Sequence, residues 1–148
     1  MTNLDFSVLW PFRKLLPAAL GLTIGIGLAG FILALAIAII VGSLRSRKLP
    51  KIISVILSTY VEVFRGTPLL VQLFFVYYGL PGLGFHIGPI KAAIITMGLN
   101  SGSYLSENIR ASILAVDKGQ YEAAYILGYT PIQRTFHIIL PQAIRVAV

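Results

Sequence analysis

The chain has 148 residues, 57% of them hydrophobic and 11% charged, with a mean hydropathy of +0.86 and a formal net charge of +7. Soluble domains average about 45–50% apolar and about 25% charged residues, so this composition excludes an ordinary soluble core and predicts a membrane protein. The basic residues flank apolar spans, which makes membrane orientation a better explanation for them than nucleic acid, and the absence of cysteine excludes disulfides and thiolate zinc sites.

Thr2 to Pro17 is a short amphipathic lead carrying Trp10, Phe12, Arg13 and Lys14, a mixture suited to the headgroup region. It is a poor signal peptide, because no small-residue cleavage site follows a short apolar core. No charge occurs between Lys14 and Arg45. A first span is predicted over residues 18–44; its stretch from Ala18 to Gly42 would be about 37 Å long as a helix, against a hydrocarbon core of ~30 Å. Gly21 and Gly25 form a G-x-x-x-G pair, with Gly27 and Gly30 beyond. The pair reads either as a close helix contact or as the general tolerance of membrane helices for glycine.

The next loop carries Arg45, Arg47, Lys48 and Lys51, against Arg13 and Lys14 in the lead and Lys91 in the loop after the second span. The positive-inside rule places it in the cytoplasm and the N-terminus outside. A second span is predicted over residues 52–80, bent by Pro68. Glu62 and Arg65 can pair on one face, either near the cytoplasmic interface or lining a path. Tyr77 and Tyr78 suit the outer aromatic belt. Gly79 to Pro89 reads as an outer loop, and His86 within it as a solvated residue.

The third predicted span, residues 90–115, carries Asn100, Ser101, Ser103, Tyr104, Ser106, Glu107, Asn108 and Arg110 in its second half. Asn100, Tyr104 and Glu107 share one helical face, and such a stripe has to face protein or water. Glu62, Arg65, Asn100, Tyr104 and Glu107 are therefore candidates for a substrate path. The alternatives are interhelical hydrogen bonding for Asn100 and Tyr104, and bracing of the following segment for Glu107 and Arg110. Gly98 and Gly102 add a close-packing surface.

Residues 117–141 predict an elbow of two short helices. Asp117 caps the first, with Gln120 completing a capping box, and Gly128 closes it as a C′ glycine. Thr130 caps the second, with Pro131 at its first position and Gln133 at N3. Ile132, Phe136, Ile139 and Leu140 fall on one face, and Pro141 limits continuation.

The residues Glu122-Ala123-Ala124, Gly128, Ile138 and Leu140-Pro141 have the spacing E-A-A-x3-G-x9-I-x-L-P. This resembles the EAA signature of the permease subunits of bacterial ABC importers. The stretches Glu62 to Gln72, Tyr77 to Pro81, Tyr104 to Glu107 with Arg110, and Lys118-Gly119-Gln120 look like the polar amino-acid branch, of histidine, glutamine, glutamate or arginine type. Asp117 departs from it, since proline is expected there, but a capping aspartate does a similar job. The resemblance implies an all-α membrane protein with the type I ABC importer permease fold. About three transmembrane helices and a cytoplasmic coupling elbow are expected, in a single, partial permease domain over residues 1–148. It implies ATPase coupling through Glu122, Ala123, Ala124, Gly128, Ile132, Phe136, Ile138, Leu140 and Pro141.

The implied partners are an ABC ATPase subunit, a second permease copy or paralogue, a periplasmic or lipid-anchored substrate-binding protein, membrane lipids and an amino-acid substrate. The implied location is the bacterial cytoplasmic membrane, multi-pass, with no cofactor and no catalysis by this chain. Family members continue with two more spans, so the chain is expected to be a fragment. A remnant that assembles with nothing, and a permease for another small polar solute, are the alternatives. An intramembrane enzyme is disfavoured. There is no H-E-x-x-H, and Gly98-Leu99-Asn100-Ser101-Gly102 places serine wrongly for a G-x-S-x-G elbow. There is also no G-x-x-x-x-G-K-[ST] to cradle nucleotide phosphates.

Overall fold

The computed structural model describes residues 10–147; of Lys118, Pro131, Phe136 and residues 144–147 only the backbone is described. Residues 1–9, which include the start of the amphipathic lead, lie outside the described residues. Trp10 is exposed, and the Arg13 guanidinium lies 4.7 Å from its ring centre.

The described elements are all helical. α1 is Leu15–Arg45, and α2 is Lys51–Gly66. α3, Leu69–Phe74, runs on through a π turn at Phe75–Gly79 and a 3-10 turn at Leu80–Leu83. α4 is Pro89–Leu114. α5 is Lys118–Ile126. α6, Pro131–Gln133, passes through a π turn at Arg134–Ile139 into α7, Leu140–Ala147. Among the described residues α1 is the one helix that is by itself long and apolar enough to cross a membrane. α2 and the Leu69–Leu83 segment qualify only as a pair, bent by 109° at Thr67-Pro68. α4 is long enough at 26 residues but too polar to qualify, because of the hydroxyls and charges of its second half.

The fold is held by α1 lying along α4. Small residues at a spacing of four, Gly30, Ala34, Ala38 and Gly42, are buried on α1. On α4, Gly98, Gly102, Ser103 and Ser106 are buried, with Gly102 against Ala34 and Ile37, Ser106 against Gly42 and Gly98 against Leu33. A β-carbon on Gly42 would lie 2.6 Å from the Ser106 carbonyl oxygen, and one on Gly98 would lie 2.5 Å from Leu33 Cδ2. Such close backbone approach allows dispersion forces to hold two helices without a hydrophobic driving force. The buried hydroxyls are satisfied within α4 itself: Thr96 donates to Ala92 O at 2.7 Å, Ser103 to Asn100 O at 2.6 Å and Ser106 to Ser103 O at 2.7 Å. Polar atoms at the interface therefore leave no unmet donor there.

The G-x-x-x-G pair at Gly21 and Gly25 is not part of this contact, since nothing approaches either position within 4 Å. The helices meet along the second half of α1, while Leu20, Ile24 and Leu28 in the first half are exposed. The close-packed stripe therefore starts at Gly30. Overpacking a helix contact costs about 1–3 kcal/mol. Gly102→Val, which would press on Ile37 at 3.0 Å, should lower the thermal unfolding midpoint of the purified chain in detergent. Gly25→Val should leave it within the roughly 0.5 kcal/mol range of neutral surface changes. Equal midpoints for the two variants would contradict this packing.

Candidate functional site

The elbow forms as its capping residues dictate. The Asp117 carboxylate accepts from the Gly119 amide at 2.6 Å. Gln120, expected to close a capping box, instead accepts from Gln142 Nε2 at 3.3 Å and so ties α5 to α7. α5 ends at Gly128 with φ +76°. The Gly128 amide donates to Tyr125 O at 3.0 Å and the Tyr129 amide to Ala124 O at 3.1 Å, the paired bonds of a Schellman closure. Thr130 and Gln133 then cap α6 reciprocally, the Gln133 amide donating to Thr130 Oγ1 at 3.3 Å and the Thr130 amide to Gln133 Oε1 at 2.9 Å.

Two expectations about the second arm are corrected. Pro141 does not end the helix, which continues to Ala147. The π turn at Arg134–Ile139 comes just before it. A widened turn relieves the clash of a proline ring with the carbonyl four residues back, and proline has no N–H to lose there. The same turn shifts the register, so Ile132 and Ile139 do not share one face. Ile139 is buried with Val116 and Ala143, against Ile113 and Tyr121, whereas Ile132 is 72% exposed. Leu140 is 39% exposed. Ile138 is half-buried, and the side chain of Phe136 lies outside the described residues.

The elbow thus has two sides. Its inner side is fused to the end of α4 through Val116, Ile139 and Ala143 and through the Tyr121 hydroxyl on Ile113 O at 3.3 Å, and Ala124 of α5 is buried as well. Burial pushes the Tyr121 phenol above its usual pKa. Its outer tip presents Tyr125 at 70%, Ile126 at 82% and Leu127 at 72% exposure, beside Ile132. Glu122 and Ala123 are also exposed, as are Gly128 and Pro141. A contiguous apolar tip on a stiff, capped scaffold is a docking surface in form.

The polar stripe of α4 meets the break between α2 and α3. Pro68 has no N–H to give to Phe64 O, and the extended Thr67 breaks the ladder. The orphaned carbonyls find side chains instead. Asn100 Nδ2 donates to Phe64 O at 3.0 Å, and the Tyr104 hydroxyl to Arg65 O at 3.1 Å. Gln72 Nε2 lies 2.9 Å from Phe64 O, 3.0 Å from Thr67 O and 2.7 Å from Thr67 Oγ1. Tyr60 adds a bond to Leu99 O at 2.7 Å. The interhelical alternative for Asn100 and Tyr104 is thus the geometry found, with Tyr104 46% exposed.

Glu62 and Arg65 are both exposed and do not pair; the Arg65 guanidinium sits 5.3 Å from the Tyr104 ring centre. A flat, delocalised cation over an aromatic face competes well with an exposed ion pair, which contributes little. Glu107 is held from both sides, by Arg45 Nη1 at 2.6 Å and Arg110 Nη1 at 2.7 Å. It joins the end of α1 to α4. Neither Gln72 nor Arg45 was singled out from sequence as a partner of these groups. The spacing of Gln72 four residues after Pro68 is the signal that could have found the first. Among the described residues no three of His, Cys, Asp and Glu come together as a metal-ligand set.

Fold and elbow define an all-α membrane protein with the type I ABC importer permease fold. The chain belongs to the family described as the binding-protein-dependent transport system inner membrane component, whose model matches residues 21–148. It is 42% identical over 139 residues to an L-cystine transport system permease protein, TcyB, of Bacillus subtilis, covering 94% of this chain and 58% of that protein. It is 41% identical over 144 residues to an arginine transport system permease protein, ArtQ, of the same organism, covering 97% of this chain and 65% of that one. Among solved structures, a crystal structure of an amino acid ABC transporter with histidines matches with TM-score 0.85 and 35% identity, covering 99% of this chain and 68% of that one. The chain thus spans about three-fifths of the length of these curated relatives.

Breaking the strap should be measurable. Gln72 is 9% exposed, so Gln72→Leu leaves Thr67 O without its side-chain donor, while Phe64 O keeps Asn100, and should cost about 1–3 kcal/mol. Tyr104→Phe removes a bond at an exposed site and should cost less than about 1 kcal/mol. Thermal unfolding in detergent ranks them; a larger loss for Tyr104→Phe would contradict the strap.

Proposed function

We propose that the chain is part of the membrane subunit of an ATP-driven importer of polar amino acids, coupled to ATP hydrolysis on a separate subunit. The observation that carries this reading is the elbow. Its E-A-A, Gly and I-x-L-P positions build a doubly capped unit, fused inward to α4 and exposing an apolar tip. A cleft on an ATPase could take hold of Tyr125, Ile126, Leu127 and Ile132, with Glu122 at the edge. Movement of that cleft would pass through Val116, Ile139 and Ala143 into α4 without being lost in a flexible loop. Alternating access follows: ATP closes two ATPase subunits, the docked elbows move together, and paired permeases open outward to a loaded binding protein. Hydrolysis reopens the path inward. The names of the relatives support an amino acid as cargo.

The proposed topology is multi-pass with an outer N-terminus, the loop from Arg45 to Lys51 and the elbow both lying in the cytoplasm. The proposed path uses the exposed Glu62, Arg65 and Tyr104 beside Asn100, while Glu107 braces α1 against α4. Single cysteines replacing Ser46 and Gly84 should label from opposite sides of the membrane; labelling of both from one side would overturn this topology.

In the complete transporter, Gly128→Val places a side chain at a left-handed position, which costs about 1–2 kcal/mol. Uptake should fall roughly five- to thirtyfold and co-purification of the ATPase should weaken, at near-normal membrane levels. Glu122→Lys should act in the same direction by reversing a charge in the contact. Normal ATPase binding and uptake in both variants would reduce the elbow to a connector.

A further inference from the structure

A cavity of about 430 Å³ opens between the end of α1 and the inner side of the elbow. Ser43, Ser46 and Arg47 line it from α1 and the loop after it, Arg134 from the π turn, and Ile113 and Ile139 from the apolar floor, with the exposed Ile132 at its rim. Among the described residues no carboxylate lines it. Arg134 Nε is buried without a hydrogen-bond partner. Buried donors in folded proteins are nearly always satisfied, so this one calls for an acceptor. The guanidinium is fixed by lying 5.5 Å from the Tyr125 ring centre, which leaves its N–H edge as the reactive side. Neither Arg134 nor Arg47 belongs to an ion pair among the described residues. Glu122 shares a neighbouring depression with Arg134 without pairing to it. Ser46 Oγ already donates to Ser43 O at 2.8 Å, so the Ser43 hydroxyl and the two guanidinium groups are the donors at hand.

We infer that this cavity binds a phosphate ester, held by Arg47 and Arg134. Guanidinium groups match phosphate oxygens with paired N–H bonds. The inference rests on the proposed cytoplasmic placement of the elbow. There the cavity sits at headgroup level beside the loop from Arg45 to Lys51, where basic pockets between helices take anionic lipid. Its apolar floor suits the start of an acyl chain, so an anionic phospholipid is the favoured source and free phosphate the other. A bound lipid would brace the elbow against α1 and make its position sensitive to the charge of the inner leaflet.

The test is native mass spectrometry of the purified chain after exchange into mixed micelles. The micelles contain phosphatidylglycerol, phosphatidylcholine, or phosphatidylcholine with inorganic phosphate at matched concentration. Selective retention of phosphatidylglycerol identifies a lipid headgroup site, and retention of inorganic phosphate identifies a soluble one. In either case Arg134→Gln and Arg47→Gln should each lower occupancy about tenfold. Arg134→Lys should restore part of it, and Lys91→Gln, distant in the fold, should leave it unchanged. Circular dichroism separates loss of the site from loss of the fold. Equal retention of all lipids with no phosphate bound, or arginine variants that fold and retain as the unaltered chain does, would overturn the inference. No ATPase is present in this assay, so its failure leaves the coupling proposal standing, and failed ATPase capture leaves the lipid site standing.

Discussion

The constraint on which much of this structure depends is the demand that every buried backbone carbonyl find a donor. Pro68 removes one from the middle of an apolar stretch. The protein answers with Gln72, Asn100 and Tyr104, all aimed at the carbonyls of Phe64, Arg65 and Thr67. Once that answer is in place, α4 cannot be apolar throughout, and its polar face has to lie against α2. Its other face is then free to meet α1, and small residues at Gly98, Gly102, Ser103 and Ser106 let the two backbones close. The bend, the polar stripe and the close contact are three consequences of a single missing N–H.

The elbow obeys a different rule. It lies outside the apolar spans, where water can satisfy backbone groups, so its caps serve stiffness more than solvation. Asp117, the Gly128 closure and the Thr130–Gln133 pair hold both ends of α5 and the start of α6. The buried Val116–Ile139–Ala143 contact, with Ile113 and Tyr121 packed against it, joins the end of α4 to the elbow and α7. Glu107, gripped by Arg45 and Arg110, extends that connection to the end of α1. The proposed coupling needs such a connection, because it lets displacement at the tip reach the helix that straps the break.

Features governed by neighbours in sequence were legible before the structure. The caps at Asp117 and Thr130, the left-handed Gly128 and the bend at Pro68 depend on a few adjacent residues. The packing role of Gly98 and Gly102 was legible because polar residues already oriented α4. Features governed by partners distant in sequence were not. The choice between Gly21-Gly25 and the stripe from Gly30 depends on where α4 crosses α1. Arg65 could be paired with Glu62 by spacing, but the Tyr104 ring comes from a segment 39 residues away, and the Arg45 that takes up Glu107 from one 62 residues away. The π turn at Arg134–Ile139 has no pattern of its own in sequence, and it moved Ile139 inward while leaving Ile132 outside.

The central claim is that the exposed tip of the elbow is covered by an ATPase. It is tested most directly by placing a single cysteine at Ile132 in the complete transporter, which has no cysteine to remove from the part of the chain seen here. The rate of maleimide labelling is then followed with the ATPase subunit present and after it is stripped from the membrane. Strong protection by the ATPase is expected, together with unchanged labelling of a cysteine at Gly84. Equal labelling rates at Ile132 with and without the ATPase would contradict the account.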